Sequence, residues 1–183
     1  MTCIVGLIDN DKVYIGGDSA GVGGYDLHIR ADKKVFKNGP FIMGFTSSFR
    51  MGQLLQYKLQ PPSLYKEDGT LKDIYKYMVT EFIDAVRQCL KDGGYAIKKD
   101  EGELGGTFLV GYGGRLFAVY DDYQVAEFVE GYGAVGCGAQ IANGVLYATQ
   151  DKGLSPGERI MIALEAAERY SAGVRGPFVL EST

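Results

Sequence analysis

Apolar and polar positions along this chain come in blocks, and the period changes from block to block. Residues 3–9 (Cys-Ile-Val-Gly-Leu-Ile-Asp) are rich in branched side chains, Asn10-Asp11 supplies turn chemistry, and Lys12 to Gly17 resumes an extended pattern. The spacing predicts an opening hairpin. Third and fourth strands are expected at about Lys34–Lys37 and Phe41–Phe45, divided by Asn38-Gly39-Pro40. From Ser48 the period becomes helical, and between Leu71 and Leu90 the residues Ile74, Met78, Phe82, Val86 and Cys89/Leu90 fall on one stripe. Gly93-Gly94 ends this second helix, and the charged stretch Lys98 to Glu103 reads as a solvated, mobile loop.

The second half repeats that order. Thr107–Tyr112 and Leu116–Tyr120 flank Gly113-Gly114 as a hairpin, and a further strand is expected near Val125–Val129. A fourth helix follows over about Ala139–Thr149. The fifth begins at Ser155-Pro156-Gly157-Glu158, where Ser155 caps, Pro156 opens the first turn and Glu158 closes a capping box. Its buried stripe is Ile160, Ala163, Leu164 and Ala167, and Pro177 to Leu180 gives a last strand. Strand blocks alternating with helix pairs, ββββ-αα-βββ-αα-β, predict an α+β fold: a four-layer αββα sandwich of two antiparallel sheets with helices outside, in one domain over residues 1–183. Gly131 to Gly136 also fits G-x-G-x-x-G with Asp151 about 20 residues on, but a dinucleotide site needs parallel βαβ crossovers, and hairpins precede this segment.

The totals narrow the function classes. The 183 residues are 46% hydrophobic and 23% charged, enough for a real core, and the net charge of −4 with no dense Lys/Arg run argues against nucleic acid as a partner. Nothing approaches the ~20 consecutive apolar residues that span a bilayer, and the start lacks a signal-peptide pattern, so a cytoplasmic protein without membrane contact is expected. Cys3, Cys89 and Cys137, odd in number and far apart, suit reduced thiols. The single histidine, His28, sits near no nucleophile motif and reads as a surface or strand residue. Ser-His-Asp machinery and histidine-rich metal sites are therefore set aside, and no cofactor or metal is expected.

Thr2 offers a different route. A small side chain at position two lets the initiator Met1 be removed, and a threonine with a free α-amino group carries both hydroxyl and base in one residue. The amine's pKa of about 7.7–8.0 leaves a neutral fraction near pH 7 that can take the hydroxyl proton. Cys3 is not terminal and falls on the first strand, so it is not the nucleophile.

Three segments then fall in register: Thr2-Cys3-Ile4-Val5-Gly6, Ile15-Gly16-Gly17-Asp18-Ser19, and Lys34-Val35, with Asp18 16 residues after Thr2 and Lys34 32 after it. In these, over nearly the whole chain, the sequence resembles the proteasome β-subunits and the peptidase subunit of the bacterial two-component ATP-dependent protease, which are N-terminal-nucleophile hydrolases. The resemblance implies that Thr2 attacks a peptide carbonyl, that Lys34 lowers the pKa of the amine and hydroxyl, and that Asp18 keeps Lys34 charged and oriented. It places an oxyanion donor in Gly44-Phe45-Thr46-Ser47-Ser48, at Ser47 by context or Ser48 by spacing, where the family usually has glycine. The family's Gly-Ser-Gly and its Asp with Ser three residues on, which hold the terminal amine, correspond here to Gly136-Cys137-Gly138, Glu168 and Ser171; Cys137 and Glu168 depart from the pattern.

Gly21, Asp32, Phe36 and Thr46 match the family's specificity pocket, with Asp32 suggesting tolerance for basic side chains. The resemblance further implies a threonine-type endopeptidase acting on peptide or unfolded protein inside a homo-oligomeric ring or stacked rings, with an ATPase or other regulatory partner. Two alternatives stay open. One is a catalytically silent ring subunit, although that class carries a long helix before its first strand. The other is an amidase or acylase of the same superfamily, although those generally lack the lysine.

Overall fold

The computed structural model describes residues 1–99 and 102–183. Its first half runs β1 (Cys3–Asp9), β2 (Lys12–Gly17), β3 (Ala20–Gly23), β4 (Asp26–Ile29), β5 (Val35–Asn38), β6 (Phe41–Phe45), α1 (Phe49–Tyr57), α2 (Ile74–Tyr77), a π-helical segment (Met78–Phe82) and α3 (Ile83–Asp92). The second half runs β7 (Ile97–Lys99), β8 (Gly102–Leu104), β9 (Phe108–Tyr112), β10 (Arg115–Val119), β11 (Val125–Glu127), β12 (Tyr132–Gly136), α4 (Ala139–Thr149), α5 (Pro156–Tyr170) and β13 (Val179–Ser182).

Two antiparallel sheets form, one of order β12-β1-β2-β13 and one of order β11-β10-β9-β6-β5. Between them lies an apolar layer of Ile4, Val13, Ile15, Val35, Ile42, Leu109, Leu116, Ala118 and Val135. On the outer face of the first sheet, Cys3, Val5 and Leu7 meet Ala142 and Leu146 of α4 and Ile160, Ala163, Leu164 and Ala167 of α5. On the outer face of the second, Phe41, Met43 and Phe45 meet Met51 and Leu55 of α1, Phe82 of the π-helical segment, and Val86 and Leu90 of α3. Alternation along β1 thus sends Ile4 to the inner layer and Cys3, Val5 and Leu7 to the helices. The result is the expected αββα sandwich.

Local signals account for much of this. Asn10 and Asp11 both take left-handed φ (47° and 59°) in the β1–β2 turn, a conformation these two residue types tolerate better than most. The Ser155 side chain and the Glu158 side chain satisfy each other's backbone N–H groups in a full capping box. Ser48 caps α1 through Arg50 N–H, and Asp73 caps α2, so that helix begins three residues after Leu71.

Four features depart from the sequence expectation. The β3–β4 hairpin, a small separate sheet, was not foreseen: it is short, glycine-containing and mostly exposed, so no apolar period marks it. The Gly131–Gly136 segment, where the sequence predicts no strand, is largely β12, antiparallel to β1, which agrees with setting a dinucleotide site aside; its glycines hide the strand. Within Lys98 to Glu103, read from sequence as a loop, backbone pairs as the β7–β8 hairpin, with Asp100 and Glu101 outside the described residues. The last strand is Val179–Ser182, displaced by two residues from Pro177–Leu180, because Pro177 has no N–H to give a ladder. Among the described residues no helix is long and apolar enough to cross a membrane.

Candidate active site

Strand register brings the chemistry-bearing residues to one end of the sandwich. Ile4 pairs with Gly17 and Cys3 with Gly136, so the residues just beyond those pairs, Thr2, Asp18 and Cys137, come together at the head of β1. From the other sheet, Val35 pairs with Gly44 and Phe45 N–H donates to Lys34 O at 3.0 Å, which sets Lys34 beside the end of β6. Its side chain then crosses toward the first sheet. Glycine is required at one approach: Gly136 has φ 100°, and a Cβ there would stand 2.2 Å from the Thr2 carbonyl oxygen.

Lys34 Nζ donates to Thr2 Oγ1 at 3.0 Å and to Asp18 Oδ1 at 2.9 Å. The Lys34 and Asp18 side chains are 1% and 0% exposed. Such a pair survives burial only if the remaining valences are filled, and three main-chain groups fill those of Asp18. Cys3 N–H donates to Oδ1 at 3.0 Å, while Ala20 N–H at 3.0 Å and Arg175 N–H at 3.3 Å donate to Oδ2. Burial pushes the Lys34 ammonium below its ordinary pKa of 10.5, with the charge and hydrogen bond of Asp18 pulling the other way. Burial also drives the Cys3 thiol up to about 12, so it is held as an inert core thiol.

The main chain of Thr2 is held from the side of α4 and α5. Thr2 N–H donates to Cys137 Sγ at 3.3 Å, Cys137 S–H donates back to Thr2 O at 3.4 Å, and Cys137 Sγ lies 3.3 Å from Ser171 Oγ at the C-cap of α5. Met1 is in place, its carbonyl accepting a short hydrogen bond from the Thr2 hydroxyl. Glu168 does not reach the Thr2 nitrogen. Its Oε1 accepts from Gly176 N–H at 3.0 Å, because the extra methylene and the position on α5 direct it to the 175–176 loop, whose Arg175 N–H supports Asp18.

The loop after β6 places Ser47 and Ser48 differently. Ser48 N–H donates to Thr46 O at 2.7 Å, whereas Ser47 N–H has no acceptor among the described residues. Ser47 takes φ 63°, the left-handed region where glycine carries no penalty, and its Oγ accepts from Thr107 N–H at 3.1 Å.

Two cavities flank Thr2 and share Met1, Thr46 and Ser47. The first, of about 360 Å³, is lined by Gly21, His28, Arg30, Thr46 and Phe49 among others; the second, of about 490 Å³, by Tyr120, Ala134, Val135 and Cys137 among others. Two residues matched to the pocket from sequence stand elsewhere. Phe36 is buried in the helix-facing core against Phe45, since it lies on the outer face of β5. Asp32 does not line the cavity, and both its oxygens are taken by Arg30 at 2.7 Å, so it offers no free carboxylate to a basic substrate. His28 and Arg30, on or just after the unforeseen β4, line the cavity instead. Recognition of that hairpin would have required noticing Gly24-Tyr25 as its turn. Among the described residues no group of three or more His, Cys, Asp or Glu is gathered as metal ligands would be.

The fold is similar to that of solved proteasome-like proteins. The chain superposes on Thiobacillus denitrificans BPH with a TM-score of 0.80 and 18% identity, covering 100% of this chain and 97% of that one. For eukaryotic HslV from Trypanosoma brucei the TM-score is 0.69 at 16% identity, covering 99% and 98%. For the Anbu (Gly-1) mutant from Hyphomicrobium sp. strain MC1 it is 0.68 at 16% identity, covering 98% and 80%. No family model matches the sequence, and no curated protein matches it.

Proposed function

We propose that the chain is a threonine-type endopeptidase whose nucleophile, Thr2, becomes competent when Met1 is removed. The observation that carries this reading is the buried contact of Lys34 Nζ with both Thr2 Oγ1 and Asp18 Oδ1. A charged donor at that distance stabilises the alkoxide that forms as Thr2 loses its proton. Once freed, the Thr2 amine is the base: it takes the hydroxyl proton, then returns it to the leaving amine as the acyl-enzyme forms. Water hydrolyses the ester in a second step. The Ser47 N–H is the donor for the tetrahedral oxyanion, and Cys137 with Ser171 holds the amine. Asp18 and, through the 175–176 loop, Glu168 position Lys34.

With Met1 attached, the nitrogen of Thr2 is an amide and cannot act as a base, and the hydroxyl is committed to the Met1 carbonyl. That favours one second reading, a catalytically silent subunit that keeps its methionine. The resemblance also supports self-assembly into rings that enclose the site, in the cytoplasm, with an ATPase partner and unfolded protein as substrate.

Intact mass before and after treatment with a peptidyl epoxyketone tests both readings. The same structural relative, Thiobacillus denitrificans BPH, has been solved in complex with epoxomicin, so the reagent suits this fold. The expected result is loss of Met1 and one adduct that Thr2→Ala does not form. A chain that retains Met1, or loses it and never takes the probe, selects the silent subunit.

A further inference from the structure

The first cavity beside Thr2 carries a charge character that the peptidase reading does not supply. The basic residues that line it are Arg30 and His28, and among the described residues no Asp or Glu lines it. Arg30 is held in place before any ligand arrives. Its main-chain N–H donates to Ser19 O at 3.0 Å, its guanidinium carbon lies 3.9 Å from the centroid of the Phe49 ring, and its Nε and Nη2 each bind Asp32 at 2.7 Å. Its stem runs close over Gly21, where a Cβ would stand 2.8 Å from Arg30 Cδ. A guanidinium fixed on three sides loses little rotamer freedom on binding. The third nitrogen, Nη1, has no hydrogen-bond partner among the described residues.

We infer that Arg30 is a specificity-determining residue, and that the cavity takes an acidic side chain at the last residue on the acyl side of the cut bond. A carboxylate there meets Nη1 of a guanidinium already oriented by Asp32 and Phe49, with His28 also lining the cavity. A basic side chain meets the Arg30 guanidinium with no carboxylate among the described lining residues to pair with; that repulsion is as much a part of selectivity as the attraction. The inference rests on the reading of Thr2 as the attacking residue, because that reading makes this cavity the seat of an acyl-side side chain.

Binding to a chain that cannot react tests it independently of turnover. The Thr2→Ala chain, expressed behind a cleavable fusion that leaves residue 2 first, is titrated by calorimetry with acetylated tetrapeptide amides ending in Glu, Gln, Leu or Arg. Glu is expected to bind about tenfold tighter than Gln, and Arg more weakly than Gln. Arg30→Gln should bring the Glu/Gln ratio close to one. Asp32→Asn, which keeps Arg30, removes its countercharge and frees one more of its donors, should raise it. Equal binding of Glu and Gln, or a preference that survives Arg30→Gln, overturns the inference while leaving the peptidase reading intact. If none of the four peptides binds, the inference falls, while the peptidase reading is decided by Met1 loss and the epoxyketone adduct.

Discussion

At the scale of single residues, the site turns on Lys34. Removing one partner of a buried ion pair leaves the other uncompensated, at about 3–5 kcal/mol, and the three main-chain donors on Asp18 put Lys34→Met near the lower end. For a chain of this size that is a fall of roughly 6–12 °C in Tm, read by calorimetry. The epoxyketone rate should fall at least 100-fold. The pH dependence has a definite sign. Burial lowers the folded-state pKa of Lys34 below the ordinary 10.5, so between those two values the unfolded chain binds more protons, and the Lys34 contribution to stability rises with pH. Denaturant titrations across that alkaline window should show a shallower rise for Lys34→Met than for the parent. A parent slope no steeper than the variant's would mean that the ammonium is not penalised by burial.

The cysteines give a second residue-scale outcome. Cys3 and Cys89 are buried, and burial raises both thiols, whereas Cys137 is exposed beside Thr2. Brief treatment of the native chain with iodoacetamide at neutral pH should modify Cys137 alone, as read by peptide mapping. The adduct should block the epoxyketone, because Cys137 Sγ touches both the nitrogen and the carbonyl of Thr2.

At the scale of elements, the geometry of the candidate site depends on segments that hold one another rather than on any one of them. The 175–177 loop grips the Asp18–Ser19 turn: Arg175 N–H donates to Asp18, Ser19 N–H donates to Arg175 O, and Ser19 Oγ donates to Pro177 O at 2.6 Å. Glu168 fixes that loop to α5 through Gly176 N–H. Glu168→Ala should therefore slow probe capture by about tenfold, while Glu168→Gln, which keeps an acceptor oxygen, restores most of the rate. Equal loss in the two variants would mean that the charge, acting at a distance, is what matters. The same elements show how far sequence reading reached. The capping box at Ser155 and the Asn10-Asp11 turn were legible because a few adjacent residues decide them. The β3–β4 hairpin and β12 were not, because glycine-rich strands carry no period, and their pairing is set by the partner strand.

At the scale of the whole molecule, the layers assign roles that position along the chain does not. Phe36 faces the helices and packs on Phe45, 4% exposed, so Phe36→Ala should cost about 3–5 kcal/mol by leaving a cavity in that layer. Acyl-side preference, measured on the same peptides as above, should not move, whereas a true pocket residue would shift it.

The sequence by itself determined the αββα order, the Ser155 capping box, the Asn10-Asp11 turn and the spacing of Thr2, Asp18 and Lys34, because hydrophobic period, turn chemistry and spacing along short strands are local or nearly so. Only the tertiary structure decided which serine after β6 keeps a free N–H, where Glu168 reaches, and that Arg30 lines the cavity in place of Asp32 and Phe36. Those outcomes rest on hydrogen bonds and packing between segments far apart in the chain, where one methylene or one flip of strand face redirects a side chain, and no local pattern records them.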